Sequence, residues 1–189
     1  GGGGALGFAL TRDATGGMTH QESAAVATAI GQLDGDIKAA RATVRERATS
    51  IANMDAVQAA VATNYKTVQE IAATTLAFHP APGEVIELGQ MLPGNGAVVL
   101  LVEPPEDQPD SEAFCQATQT ERGKPGNYLE LLGTRLIVTE VADVMAKASD
   151  RPGLTGYVIV SRPLELAPSL GLLVSAGAAG RIEIAGSSA

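Results

Sequence analysis

The sequence predicts an α+β fold: a long N-terminal helix, then a single, mostly antiparallel sheet covered by helices and loops. Three observations lead there. Apolar residues Val26, Ile30, Leu33, Ile37, Ala40, Val44 and Ile51 recur at three- and four-residue steps, with Arg47 interrupting the stripe before Ile51. That is a narrow heptad-like seam on one side of a helix. Residues 135–144 and 155–163 are two apolar runs joined by a polar connector holding Asp150-Arg151-Pro152-Gly153. So short a return pairs strands antiparallel, because a parallel return needs a crossover of about a dozen residues or more. The strand-like runs also cluster after the helical ones, without the regular alternation of a doubly wound parallel sheet.

A chain of 189 residues fits one domain. Residues 1–18 read as a flexible linker or the trimmed end of something longer, because a Gly run is a linker signature. Residues 19–189 read as one domain, with 19–78 a helical stalk and cover and 84–186 a sheet module. Hydrophobic residues are 45% and aromatic ones 3%, with no Trp, so the core must be Val, Leu, Ile and Ala. A net charge of −8 argues against nucleic acid or anionic lipid as a partner, since both need clustered cations. Lys38, Arg41, Arg45 and Arg47, interleaved with Glu46, read as a solvated helical face. One cysteine, Cys115, excludes an internal disulfide and any multi-cysteine metal site, and reads as a small core residue. No window of about 18 apolar residues spans a bilayer.

The helix over the seam opens on Thr19-His20-Gln21-Glu22, a capping box whose hydroxyl and carboxylate satisfy orphan amides. Gly31 and Gly35 weaken it by about 1 kcal/mol each relative to Ala. The stripe serves either a partner helix or the chain's own domain. Asn53 reads as a cap or break before a second helix at 56–63, and Asn64 punctuates before a third at 65–78. His79-Pro80-Ala81-Pro82-Gly83 stops that helix, since Pro supplies no amide. Residues 84–91 and 97–103 are strands flanking the turn Pro93-Gly94-Asn95-Gly96, and 97–103, a continuous apolar run, is expected to be the most buried strand. After an acidic, Pro-rich loop, 111–118 reads as a short helix. Residues 127–132 lead into the hairpin, 165–176 read as an apolar helix, and 180–186 as a last strand.

A long N-terminal helix precedes ERATSIANMDAVQAAVATN (46–64), then comes a turn-bounded strand pair, then LGTRLIVTEVADVM and GLTGYVIVSRPLELAPSL. This layout, over residues 21–186, resembles the Cache family of PAS-like extracytoplasmic sensor domains in bacterial chemoreceptors and histidine kinases. The resemblance implies a PAS-like sheet with a ligand pocket between it and the covering loops and helix. It implies a periplasmic position in an inner-membrane protein, touching the membrane only through flanking segments outside these residues. It also implies a homodimer through the long helix, which moves when ligand binds.

Within that frame Arg135, at the start of the hairpin, is placed to hold a ligand carboxylate bidentately, or else is an exposed strand-end cation. Tyr128 and Tyr157 offer a ring and a hydroxyl to a pocket, or serve as ordinary edge and core tyrosines. Ser161 and Arg162 approach from the hairpin end, or are solvated. His20 and His79 have no ligand at metal spacing, so no metal is expected. Glu84 and Glu87, like Glu130 and Glu140, carry no mark that separates an acid–base pair from surface glutamates. Gly123-Lys124-Pro125 is no phosphate loop. No catalytic set and no cofactor is expected. The expected function is a non-enzymatic sensory domain that binds a small molecule, a small organic anion being the favoured class. The alternative is a structural or interaction module dimerising through the heptad helix without a small-molecule ligand.

Overall fold

A computed structural model describes residues 8–9, 20–92, 94, 96–105, 125–132, 135–147, 153–164 and 183–184. The expected helices at 111–118 and 165–176, the capping Thr19 and Cys115 lie outside them. In chain order the elements are β1 (Phe8–Ala9), α1 (His20–Ala52), α2 (Asp55–Ala60), α3 (Tyr65–Ile71), β2 (Val85–Leu92) and β3 (Gly96–Glu103). Then come β4 (Gly126–Leu132), β5 (Arg135–Met145), β6 (Thr155–Leu164) and β7 (Glu183–Ile184). The fold is α+β: one long helix and a five-stranded antiparallel sheet. Phe8–Ala9, in the stretch read as linker, pairs antiparallel with Glu183–Ile184 as a separate two-stranded sheet.

α1 runs 33 residues, roughly 50 Å at 1.5 Å per residue. Its stripe is spent within the chain. Val44, Ala48 and Ile51 share an apolar cluster with Val138, Val158 and Val160, and Leu33 and Ile37 close over Leu136. Ile37 and Val44 are fully buried. Gly31 and Gly35 face open space, where an added Cβ meets nothing within 4 Å.

The breaks after α1 follow backbone chemistry. Met54, extended at φ −68° and ψ 130°, takes the position before α2 without a side-chain cap, where the sequence had suggested Asn53. Asn64 caps α3, its side-chain oxygen accepting from the Thr67 amide at 3.0 Å. The α-helix expected to reach residue 78 stops at Ile71 and continues as one π-helical turn, Ala72–Leu76. The Ala77 amide closes it on the Ala72 carbonyl at 2.8 Å. Ala77 and His79 are then left-handed, at φ 41° and 48°, a conformation costly for residues with a Cβ.

The sheet order is β3-β2-β6-β5-β4. Its first strand in sequence therefore lies beside its last at the centre, with Val85 opposite Ser161 and Gln90 opposite Gly156. β5 and β6 pair from Leu136↔Leu164 to Met145↔Thr155. Between β2 and β3 the register slips at Leu88/Gly89, leaving Leu100 as an extra residue. Gln69 of α3 donates to the Leu100 carbonyl at 2.8 Å and so satisfies the bulge.

Each central strand carries a glycine that admits a close neighbour. A Cβ at Gly156 would lie 2.4 Å from the Gly89 carbonyl and 2.6 Å from Val61 Cγ1, just past α2. Gln90 donates to the Val61 carbonyl at 2.7 Å at the same place. At the same connecting end of the hairpin, Lys147 pairs with Asp55 of α2 at 2.6 Å. That hydrogen bond, and then the ammonium charge, hold the Asp55 carboxyl below its ordinary range.

Gly156→Ala should therefore destabilise by about 1–3 kcal/mol through overpacking. Gly31→Ala and Gly35→Ala should each stabilise by about 0.5–1 kcal/mol. Urea midpoints at unchanged m check both signs; a neutral Gly156→Ala would mean that α2 does not sit on the sheet as described.

Candidate functional site

Because strand side chains alternate, the sheet face turned away from α1 is set by the register. Across it runs one rank of opposed residues: Tyr128 on β4, Thr139 on β5, Ser161 on β6 and Val85 on β2. The Thr139 and Ser161 hydroxyls bond each other at 2.9 Å. Tyr128 is exposed and the two hydroxyl residues are half-buried.

Beside this rank the face turns apolar and buried, with Ala97, Val141, Tyr157 and Ile159 in one cluster. Tyr157 lies flat over Gly89, where a Cβ would fall 2.1 Å from the ring's Cζ. Its hydroxyl donates to Glu87 Oε1 at 2.9 Å. Glu87 is only 6% exposed, and a buried carboxylate needs such donors to offset its lost hydration.

Of the five residues singled out in the sequence, Tyr128, Tyr157 and Ser161 thus share this face. Arg162 does not join them. It lies on the α1 side, where its Nε donates to Glu84 Oε2. The β5 backbone pairs Arg135 with Leu132, and the Arg135 side chain lies outside the described residues.

On the α1 side two carboxylates are buried, not surface groups as the sequence suggested: Glu84 is 1% exposed and Glu140 8%. Glu84 also accepts from Arg47 Nε at 3.2 Å, and the Arg47 guanidinium reaches the carbonyls of Phe78 and His79. Arg47 thereby holds the left-handed turn after α3. Glu140 accepts from Asn127 Nδ2 at 2.6 Å and faces Arg45 Nε at 3.4 Å. So the basic run on α1 is not one solvated face. Lys38 fits that expectation, pairing with Asp34 one turn back at 2.7 Å, and Arg45 stays mostly exposed beside Glu140, but Arg47 is drawn in by the carboxylate beneath it.

Thr139, Glu84, Glu87 and Glu140 are what sequence reasoning missed. Thr139 was findable, since it shares parity with Arg135 along β5. The glutamates were not, because burial depends on which helix lies above them. Among the described residues no group of three or more His, Cys, Asp and Glu side chains is placed to hold a metal ion. No helix among the described residues is long and apolar enough to cross a membrane. Compared with protein-family models, with characterised proteins and with solved structures, the chain matches none.

Glu84→Gln should cost about 2–3 kcal/mol, less than the roughly 3–5 of a wholly buried pair because both arginines reach solvent. Arg45→Ala, whose side chain is 64% exposed, should cost under about 1 kcal/mol. Chemical denaturation reads both, and equal costs would contradict this ranking.

Proposed function

We propose that this chain is the ligand-binding sensory domain of a bacterial transmembrane signalling receptor, of the Cache or PAS-like kind. The observation that carries the reading is the polar rank Tyr128–Thr139–Ser161, which crosses three neighbouring strands on the face opposite α1. A phenol and two hydroxyls in line, next to a buried apolar patch, are the few convergent polar groups a small-molecule site needs. The layout supports the family reading: an extended helix, a break into short helices, a turn-bounded strand pair and a closing hairpin of β5 and β6. In this reading the domain is periplasmic, catalyses nothing, binds no cofactor and reports occupancy through α1.

The ligand is a small polar molecule, with a small organic anion still the favoured class. Arg162 is tied to Glu84 on the other side, so an anion is met by the hydroxyl rank and by whatever Arg135 contributes, not by a clamp of two arginines. The rival, a scaffold pairing through the heptad stripe, would have to uncover Leu33, Ile37, Val44 and Ile51, none more than 4% exposed. A homodimer through α1 would accordingly use the helix's outward side.

A thermal-shift panel of carboxylates, amines and sugars tests the proposal. A true ligand at a hundredfold excess over its Kd adds about 2.7 kcal/mol to the folded state. For a chain of this size that is a saturable rise of roughly 5–10 °C. The rise should vanish in Ser161→Ala and Tyr128→Ala. No saturable rise across the panel, or one untouched by both variants, would remove the sensory reading.

A further inference from the structure

The hydroxyl row of the outer face and the ion pairs of the inner face occupy the same place along the strands. Thr139 and Ser161, bonded to each other on the outer face, are each followed directly by a residue of the inner-face ion pairs: Glu140, which meets Arg45 of α1, and Arg162, which shares Glu84 with Arg47 of α1. Val85, opposite Ser161, directly follows Glu84, and Tyr128, opposite Thr139, directly follows Asn127. One transverse rank of backbone therefore carries the hydroxyl row on one side and the charged seats of α1 on the other.

The helix is gripped at a single turn. Arg45 reaches Glu140 and Arg47 reaches Glu84. Two residues apart, they point about 200° from each other around the axis, one to each flank of the stripe. Between them Val44 and Ala48 are fully buried. A shift of α1 by one residue, about 1.5 Å, or a rotation of one step, about 100°, would break both seats at once. The grip is therefore specific to one register of the helix, as a register-setting contact must be.

We propose that Arg45 and Arg47, seated on Glu140 and Glu84–Arg162, are the positioning residues through which occupancy of the Thr139–Ser161 rank sets the register of α1. The inference rests on the sensory reading for its purpose, but the coupling itself belongs to the unliganded chain. Changes at Thr139 or Ser161 tilt the adjoining peptide units, and those units aim Glu140 and Arg162.

A double-mutant cycle on the whole chain, read as unfolding equilibrium constants in urea, tests it. Ser161→Ala and Arg47→Ala touch no common atom, and separated sites add to within about twofold. Coupling through the rank should make the double variant depart from the product of the singles by at least about fivefold. Tyr157→Phe with Arg47→Ala is the control and should stay within twofold, because the neighbours of Tyr157, Gly156 and Val158, hold no arginine of α1. If Arg47→Ala does not fold, Arg47→Lys with Thr139→Val serves instead. Additivity in the Ser161 cycle, or equal departure in the control, overturns the relay. A failed ligand screen with an intact cycle would instead remove the sensory reading and leave the coupling standing.

Discussion

Burial of one stripe of α1 on one face of the sheet is the constraint from which the remaining features follow. Leu33, Ile37, Val44, Ala48 and Ile51 are at most 4% exposed, and each large aliphatic side chain so buried contributes about 1.5–3 kcal/mol. Once that face is taken, strand alternation dictates what the opposite face presents. Tyr128, Thr139, Ser161 and Tyr157 point outward because Leu129, Val138, Val160 and Val158 point in. Polar groups that the inward parity also traps must find partners there. Glu84 and Glu140 do so by drawing arginines off the flanks of the same helix.

The central strand pair shows how closely the layers approach. β2 and β6 carry one glycine each, Gly89 and Gly156, and each is filled by a neighbour from a different side. Tyr157 covers Gly89 on the outer face and carries its hydroxyl to Glu87; Val61 covers Gly156 on the inner face. A ring that replaces a missing side chain restores contacts the glycine cannot make, and here it also supplies the donor a buried carboxylate needs. The sheet centre is therefore filled and buried where the polar rank beside it is half-exposed.

Much of the architecture was legible in the residues themselves. The sequence places the hairpin at 135–144 and 155–163, and β5 and β6 exceed those bounds by one residue each, because β-branched runs around Pro152-Gly153 leave few alternatives. Asn64 announced its helix by its capping chemistry. What periodicity could not settle was the use of the heptad stripe, since a partner helix and the chain's own sheet demand the same spacing. Nor could it give the left-handed turn after the π-helical residues Ala72–Leu76, whose Phe78 and His79 carbonyls are bound by Arg47 from some thirty residues away. Separation along the chain hid the site as well: Arg162 reads as a ligand group until Glu84 is placed beside it.

Whether α1 lies against its own sheet is read directly by methyl NMR on a mixed sample. Chains labelled at isoleucine methyls are mixed with chains labelled at leucine methyls, and compared with chains carrying both labels. An Ile37–Leu136 contact confined to the doubly labelled chains is the expected result, since the two side chains close one small apolar cluster within a molecule. The same contact appearing only between separately labelled chains, or absent from both samples, would mean that the stripe belongs to a partner and that the sheet face beneath it is open.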